Sequence, residues 1–126
     1  MKYDVSIMRT EGFTKDNATV LKNMLGEILV KDPVVNADNS LWIEVSDLCF
    51  TTGNEFTDYM LECSKGNSMI LRIQEKETLS AGMEFYYEDE QMMAHRELEI
   101  SEDRNSFVYP PFYVKDIDVH KFEARI

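Results

Sequence analysis

The sequence has no run of ~18 consecutive apolar residues, the length a helix needs to cross a bilayer. Its opening, MKYDVSIMRT, carries one early lysine but no apolar stretch of the signal-peptide kind. From these two absences the expected compartment is the cytoplasm. Cysteine is scarce: Cys49 and Cys63 lack metal-type spacing, Cys49 lies in an apolar run and Cys63 on the apolar side of a candidate helix. Buried free thiols are therefore expected, with no disulfide and no thiol nucleophile. The five glycines are scattered and form neither GxGxxG nor GxxxxGK, so no phosphate-cradling loop is present. GxSxG and zinc-type Cys/His spacing are also absent. No cofactor or metal is expected.

Acidic residues, by contrast, are abundant. The 126 residues carry 24 Asp and Glu against 13 Lys and Arg, a formal net charge of -11. Such a surface repels phosphate backbones and anionic membranes, which argues against nucleic-acid and membrane partners. It suits a basic protein partner, although acidity also serves plain solubility. The length is that of a single domain, residues 1–126, with enough apolar content to bury a core.

Taken in order, Tyr3, Val5 and Ile7 alternate with Asp4 and Ser6, which predicts a strand over about 2–9. Glu11-Gly12 signals a turn. Thr14 stands where an N-cap belongs, with Asp16 in the first turn. Leu21, Met24, Leu25, Ile28 and Leu29 then recur at spacings of three and four, predicting a helix over about 15–30 that Asp32-Pro33 stops. Asn36 to Ser40 is a polar loop. Leu41, Ile43 and Val45 alternate with Trp42, Glu44 and Ser46, a strand that could run through Leu48 and Phe50. Trp42 falls on its less buried side, where a tryptophan is more often covered by neighbouring chain than used as an interface anchor. Thr52-Gly53-Asn54 offers the start of a second helix with the apolar face Phe56, Tyr59, Met60 and Cys63, and Gly66 is placed to cap its end.

The chain is organised around Ser68 to Ser101, which reads as three strands in succession. Met69, Leu71 and Ile73, then Met83, Phe85 and Tyr87, then Ala94, Arg96, Leu98 and Ile100 form the expected apolar side, with Arg96 its one misfit. The other side then carries Glu84, Tyr86, Glu88, His95, Glu97 and Glu99, with Asp89 at the hairpin tip. The end is ambiguous: Ile117 and Val119, then Phe122, Ala124 and Ile126, suit either a bulged strand or a helix over 115–125. The expected fold class is α+β: an antiparallel-rich sheet with two helices packed on one face. The expected core is Val5, Ile7, Leu21, Leu25, Ile28, Ile43, Val45, Phe56, Met60, Leu71, Ile73, Phe85, Leu98 and Ile100.

The candidate binding residues are Glu84, Tyr86, Glu88, Asp89, His95, Glu97 and Glu99. Between Lys76 and Arg104 nine acids stand against three bases. Carboxylates steer a basic partner and pair with its Lys or Arg, while tyrosine supplies contact area. His95 among glutamates could instead hold a metal or shuttle a proton, but there is no second histidine beside it; a solvated histidine is the commoner outcome. His120, between Asp118 and Lys121, reads as a surface residue. In size, charge and lack of catalytic motifs the chain resembles the small acidic immunity proteins that bacteria make alongside secreted or contact-delivered toxins. That resemblance implies a non-enzymatic cytoplasmic inhibitor that occludes the basic active site of a toxin, such as a nuclease domain. The alternative is a small-ligand or adaptor domain with a pocket between sheet and helices. A hydrolase built on His95 ranks third.

Overall fold

The structure, a computed structural model, describes residues 2–47, 54–77, 82–100, 102 and 107–108. Its elements are β1 (Tyr3–Arg9), α1 (Lys15–Leu25), β2 (Val34–Val35), β3 (Leu41–Val45), α2 (Asn54–Cys63), β4 (Ser68–Glu75), β5 (Gly82–Glu88), β6 (Gln91–Glu97), β7 (Glu99–Ile100) and β8 (Phe107–Val108). The first six strands form one antiparallel sheet in the order β2-β3-β1-β4-β5-β6; β7 and β8 pair separately. This is an α+β fold, as the order of apolar periods predicts.

The period-two residues of the strands meet in register. Ile7 lies opposite Leu41 and Leu71, and Val5 opposite Ile43 and Ile73. They form one apolar layer, against which α1 lays Leu21 and Leu25 and α2 lays Phe56, Met60 and Cys63. Both helices therefore cover the same face. Fully burying a side chain of this size contributes about 1.5–3 kcal/mol. Ile28 and Phe85 are only partly buried at the margin of this core. Phe13, Leu41, Met69 and Tyr87 join it. Cys63 is a buried free thiol, its pKa pushed up chiefly by burial.

At the start of α1, Thr14 has the extended conformation of an N-cap, and Asn17 three residues on accepts its backbone N–H at 3.0 Å. The Asn17 amide also donates to the Tyr59 hydroxyl at 3.0 Å and so fastens α1 to α2. The turn before it needs Gly12. Its φ is +77°, and a Cβ there would come within 2.7 Å of the Asn39 Cβ.

The first helix is shorter than its apolar spacing predicts. It ends at Leu25, and Asp32-Pro33 does not stop it. Residues 28–30 instead run along the edge of β3: Leu29 bridges Val45, Ser46 N–H donates to the Ile28 carbonyl, and Val30 N–H donates to that of Glu44. The Ile28 and Leu29 N–H groups still donate to the Leu25 carbonyl at the end of α1, while the Ile28 carbonyl and the Val30 N–H find partners along β3, which is otherwise flanked on that side only by the two-residue β2. The possible extension of β3 through Leu48 and Phe50, the start of the second helix at Thr52-Gly53, Cys49, and the ambiguous segment after Tyr109 lie outside the described residues.

Candidate functional site

The register between β5 and β6 decides which candidate residues share a surface. Glu84 lies opposite Arg96, Phe85 opposite His95, and Met83 opposite Glu97. Glu84 and Tyr86 therefore stand on the face away from the helices, together with Ala94 and Arg96. His95 and Glu97 stand on the other face. The acidic meander face expected from the alternation is not assembled: the third strand carries His95 and Glu97 on the side opposite Glu84 and Tyr86, and a shift of one residue exchanges the faces completely.

Glu84 is the plainest correction. It is 0 % exposed. One cross-strand row runs Arg72, Glu84, Arg96 over β4, β5 and β6. Arg72 grips Glu84 Oε2 through Nε at 2.6 Å and Nη2 at 2.5 Å. Arg96 grips Oε1 through Nε at 2.8 Å and Nη2 at 2.5 Å. Each carboxylate oxygen thus has its own guanidinium, an arrangement that satisfies a buried charge. Glu84 holds the sheet together and offers nothing to a partner. Arg96 is a misfit in the apolar set because it belongs to this row.

Tyr86 is also buried, packing with Ile70 and Ala94. Its hydroxyl donates to Glu88 Oε2 at 2.5 Å, and Ser68 Oγ donates to the same oxygen at 2.8 Å. Glu88 is half-buried and engaged inside the sheet. His95 and Glu97 are exposed near the sheet edge, the His95 ring centroid 6.5 Å from that of Phe85. Glu99 begins β7 in the separate pair of strands. Among the described residues no group of three His, Cys, Asp or Glu is arranged to hold a metal ion.

Asp89 leads to a different surface. Asp89 and Glu90 form the two-residue link between β5 and β6, with φ of 44° and 65°, the left-handed pair of a type I′ turn. Asp89 Oδ1 accepts the Gly66 N–H at 3.0 Å, and Asp89 N–H donates to the Asn67 carbonyl at 3.1 Å. Glu90 N–H donates to Ser64 Oγ at 2.9 Å. The hairpin tip is thereby pinned to the loop between α2 and β4. The turn after β1 is pinned to the same loop: Glu11 N–H donates to Asn67 Oδ1 at 2.9 Å, and Thr10 N–H to the Ser68 carbonyl at 3.0 Å.

Three turns therefore converge on one end of the sheet, where Glu11, Asp89 and Glu90 of the turns and Glu62 of the last turn of α2 face solvent. Asp58 and Glu55 continue this surface up α2 at helical spacing. The cations nearby are Lys65, which is exposed, and Arg9. Arg9 is committed inward: it donates to the carbonyls of Gly12 at 2.7 Å and Cys63 at 2.8 Å, lies 4.4 Å above the Phe13 ring, and reaches Glu11 at 3.3 Å. The sequence reading missed Glu11, Glu62 and Arg9. An available signal was the last turn of α2, which contains Glu62 and no basic residue.

Elsewhere, Trp42 is half-buried, with Lys31 Nζ 4.4 Å above its ring and its Nε1–H donating to Asp4 at 3.2 Å. An open cleft of about 400 Å³ lies between residues 8–12 and 38–40. No protein-family model, curated protein or solved structure matches this chain.

Proposed function

We propose that the chain is a non-enzymatic acidic binding protein, of the kind that neutralises a toxin by covering its basic active site. One observation carries this reading: acids stand on the same surface at positions where local physics disfavours them. Glu62 occupies the last turn of a helix, whose partial negative charge repels a carboxylate by about 0.3–1 kcal/mol. Glu90 holds a left-handed backbone that glycine adopts more readily. Local conflicts of this type concentrate at functional sites. The three arginines among the described residues are all held within the fold, so this surface meets a partner with little cationic counterweight. A cationic groove complements it, and an immunity protein is the simplest protein to meet one.

The test is capture from the native cell lysate by the wild-type chain and by Glu62→Lys/Glu90→Lys, each folded by thermal melting. The expected result is a basic protein, released by salt, that the wild type retains and the variant does not, and whose toxic activity the wild type suppresses. Retention of the same proteins by both chains would remove this surface as the interface.

A further inference from the structure

The two faces of the sheet are covered over different strands. The helices lie over β3, β1 and β4. Further along on their side, Met83 and Phe85 of β5 are half-buried, and His95 and Glu97 of β6 are exposed. On the outer face, away from the helices, the pattern is reversed. Asp4, Ser6, Met8 and Trp42 of β1 and β3 are half-buried there, and Glu44 beside them is buried against Lys76. Glu84, Tyr86 and Ala94 of β5 and β6, by contrast, are buried on this face. Ile70, Tyr86 and Ala94 stand side by side across β4, β5 and β6 and are 1 %, 4 % and 1 % exposed. They form an apolar cluster separate from the main core. Leu98, whose N–H donates to the Gly82 carbonyl, continues that face and is buried too. Tyr86, Glu88 and Arg96 engage further groups besides those named above. A sheet face turned to water carries polar side chains and leaves them wet, so a dry apolar row requires a second layer over it. The burial arises within one chain, so the chain itself supplies that layer.

We propose that the outer face of β4, β5 and β6 is a docking surface for the chain's own segment 109–126. Among the described residues both helices lie on the other face, and β7 and β8 hold two residues each. Position favours the segment. Val108, the last residue of β8, pairs with Glu99, two residues past the end of β6. Residue 109 therefore follows within about 5 Å of the strand that leads out of the buried face. Length favours it as well. Eighteen residues reach roughly 60 Å when extended or about 27 Å as a helix, whereas three neighbouring strands are only ~10 Å across. Composition completes the argument. Half of the segment is apolar, including Phe112, Ile117 and Phe122, and its three Lys and Arg balance its three Asp and Glu. In a chain of net charge -11 this is a neutral stretch, which can pack on the sheet without like-charge repulsion. The other connections suit the role less. Residues 48–53 lead from β3 to α2 on the helix side, and residues 78–81 join β4 to β5 beyond the sheet's end. A second copy or a foreign partner cannot account for burial within a single chain. Docking of 109–126 stands independently of the toxin reading and reserves the outer face for the chain itself.

The test is nuclear Overhauser spectroscopy on the full chain with ¹³C-labelled Ile and Ala methyl groups. The expected result is cross-peaks from the Ile70 and Ala94 methyls to side chains between Tyr109 and Ile126. Cross-peaks to residues 48–53, 78–81 or 99–106 and none to 109–126 would overturn the choice of segment. Contacts of both methyls with water alone would overturn the second layer itself. A variant of the full chain supplies a second readout. Ala94→Arg places a long charged side chain in the buried row, and such overpacking should open the contact and speed trypsin cleavage after Lys121 about tenfold or more. Met8→Arg, on the same face but over β1 where it is wet, should leave that rate unchanged. Cleavage of Ala94→Arg at the wild-type rate, or equal acceleration by Met8→Arg, would overturn docking on this face. If Ala94→Arg does not fold, the cross-peaks of the wild type decide the matter alone.

Discussion

Glu84 illustrates how a single carboxylate can be essential to the sheet yet unavailable to any partner. Removing its charge by Glu84→Gln leaves two guanidinium groups, each mostly covered, without their counter-ion. Breaking a buried ion pair from one side typically costs about 3–5 kcal/mol, and urea titration of this variant should show a loss in that range. Replacing the whole row, Arg72→Met/Glu84→Leu/Arg96→Met, should cost far less, because no charge is then stranded. A smaller pair behaves differently. Lys76 hydrogen-bonds Glu44 and holds its carboxyl below the ordinary glutamate value, while Glu44 raises the Lys76 ammonium. Glu44 therefore adds stability above the unfolded carboxyl value of about 4.3, lost as pH falls through the lower folded value. Lys76 adds stability below its unfolded value, lost as pH rises through the higher folded one. Melting temperatures across acid pH should consequently fall more gently for Glu44→Gln than for the wild type; parallel curves would show that the pair contributes nothing to the pH dependence. Alternation made Glu84 visible as a strand residue. It could not show that Glu84 is buried, because period two separates two faces without saying which residues of the next strand lie opposite.

The elements were legible where one period persists and obscure where two compete. The strands from Tyr3, Leu41, Ser68 and Gly82 and both helical faces could be read because each repeats its pattern over several residues. The stretch Ile28-Leu29-Val30 continues the spacing of α1 yet pairs with the edge of β3; a short apolar run suits either state, and the available strand edge decides. The acidic end was missed for a related reason. Its residues come from two turns and a helix end far apart in sequence, brought together by hydrogen bonds to the Ser64 and Asn67 side chains and to the Asn67 and Ser68 carbonyls. The β5–β6 turn provides its own test. Glycine suits the second position of a type I′ turn, so Glu90→Gly should stabilise the fold by about 1 kcal/mol. If Glu90 also meets the partner, the same substitution weakens binding while the melting temperature rises. Stabilisation with unchanged affinity would make Glu90 a tolerated turn residue without a role in recognition.

On the scale of the whole molecule, the net charge of -11 makes general electrostatic attraction to any cation expected, so the argument turns on where the charge sits. The two ends of the sheet can be compared directly. Glu62 and Glu90 lie at the end where β1 finishes, whereas Asp47 and Glu77 follow β3 and β4 at the end where β1 begins. A seven-residue strand spans roughly 20 Å, more than twice the ~8 Å screening length at physiological ionic strength. Glu62→Lys/Glu90→Lys and Asp47→Lys/Glu77→Lys change the net charge equally and differ only in location. Association of a basic partner with the wild type, followed by stopped flow from low to high salt, should slow steeply as screening increases. The first variant should associate more slowly at low salt and lose much of that salt dependence, its equilibrium affinity falling because like charges then meet at the interface. The second should keep most of the wild-type rate and salt slope. Equal losses in both variants would mean that total charge, and not the surface built by the three turns, draws the partner in. A wild-type rate indifferent to salt would remove steering altogether and leave shape complementarity to carry recognition.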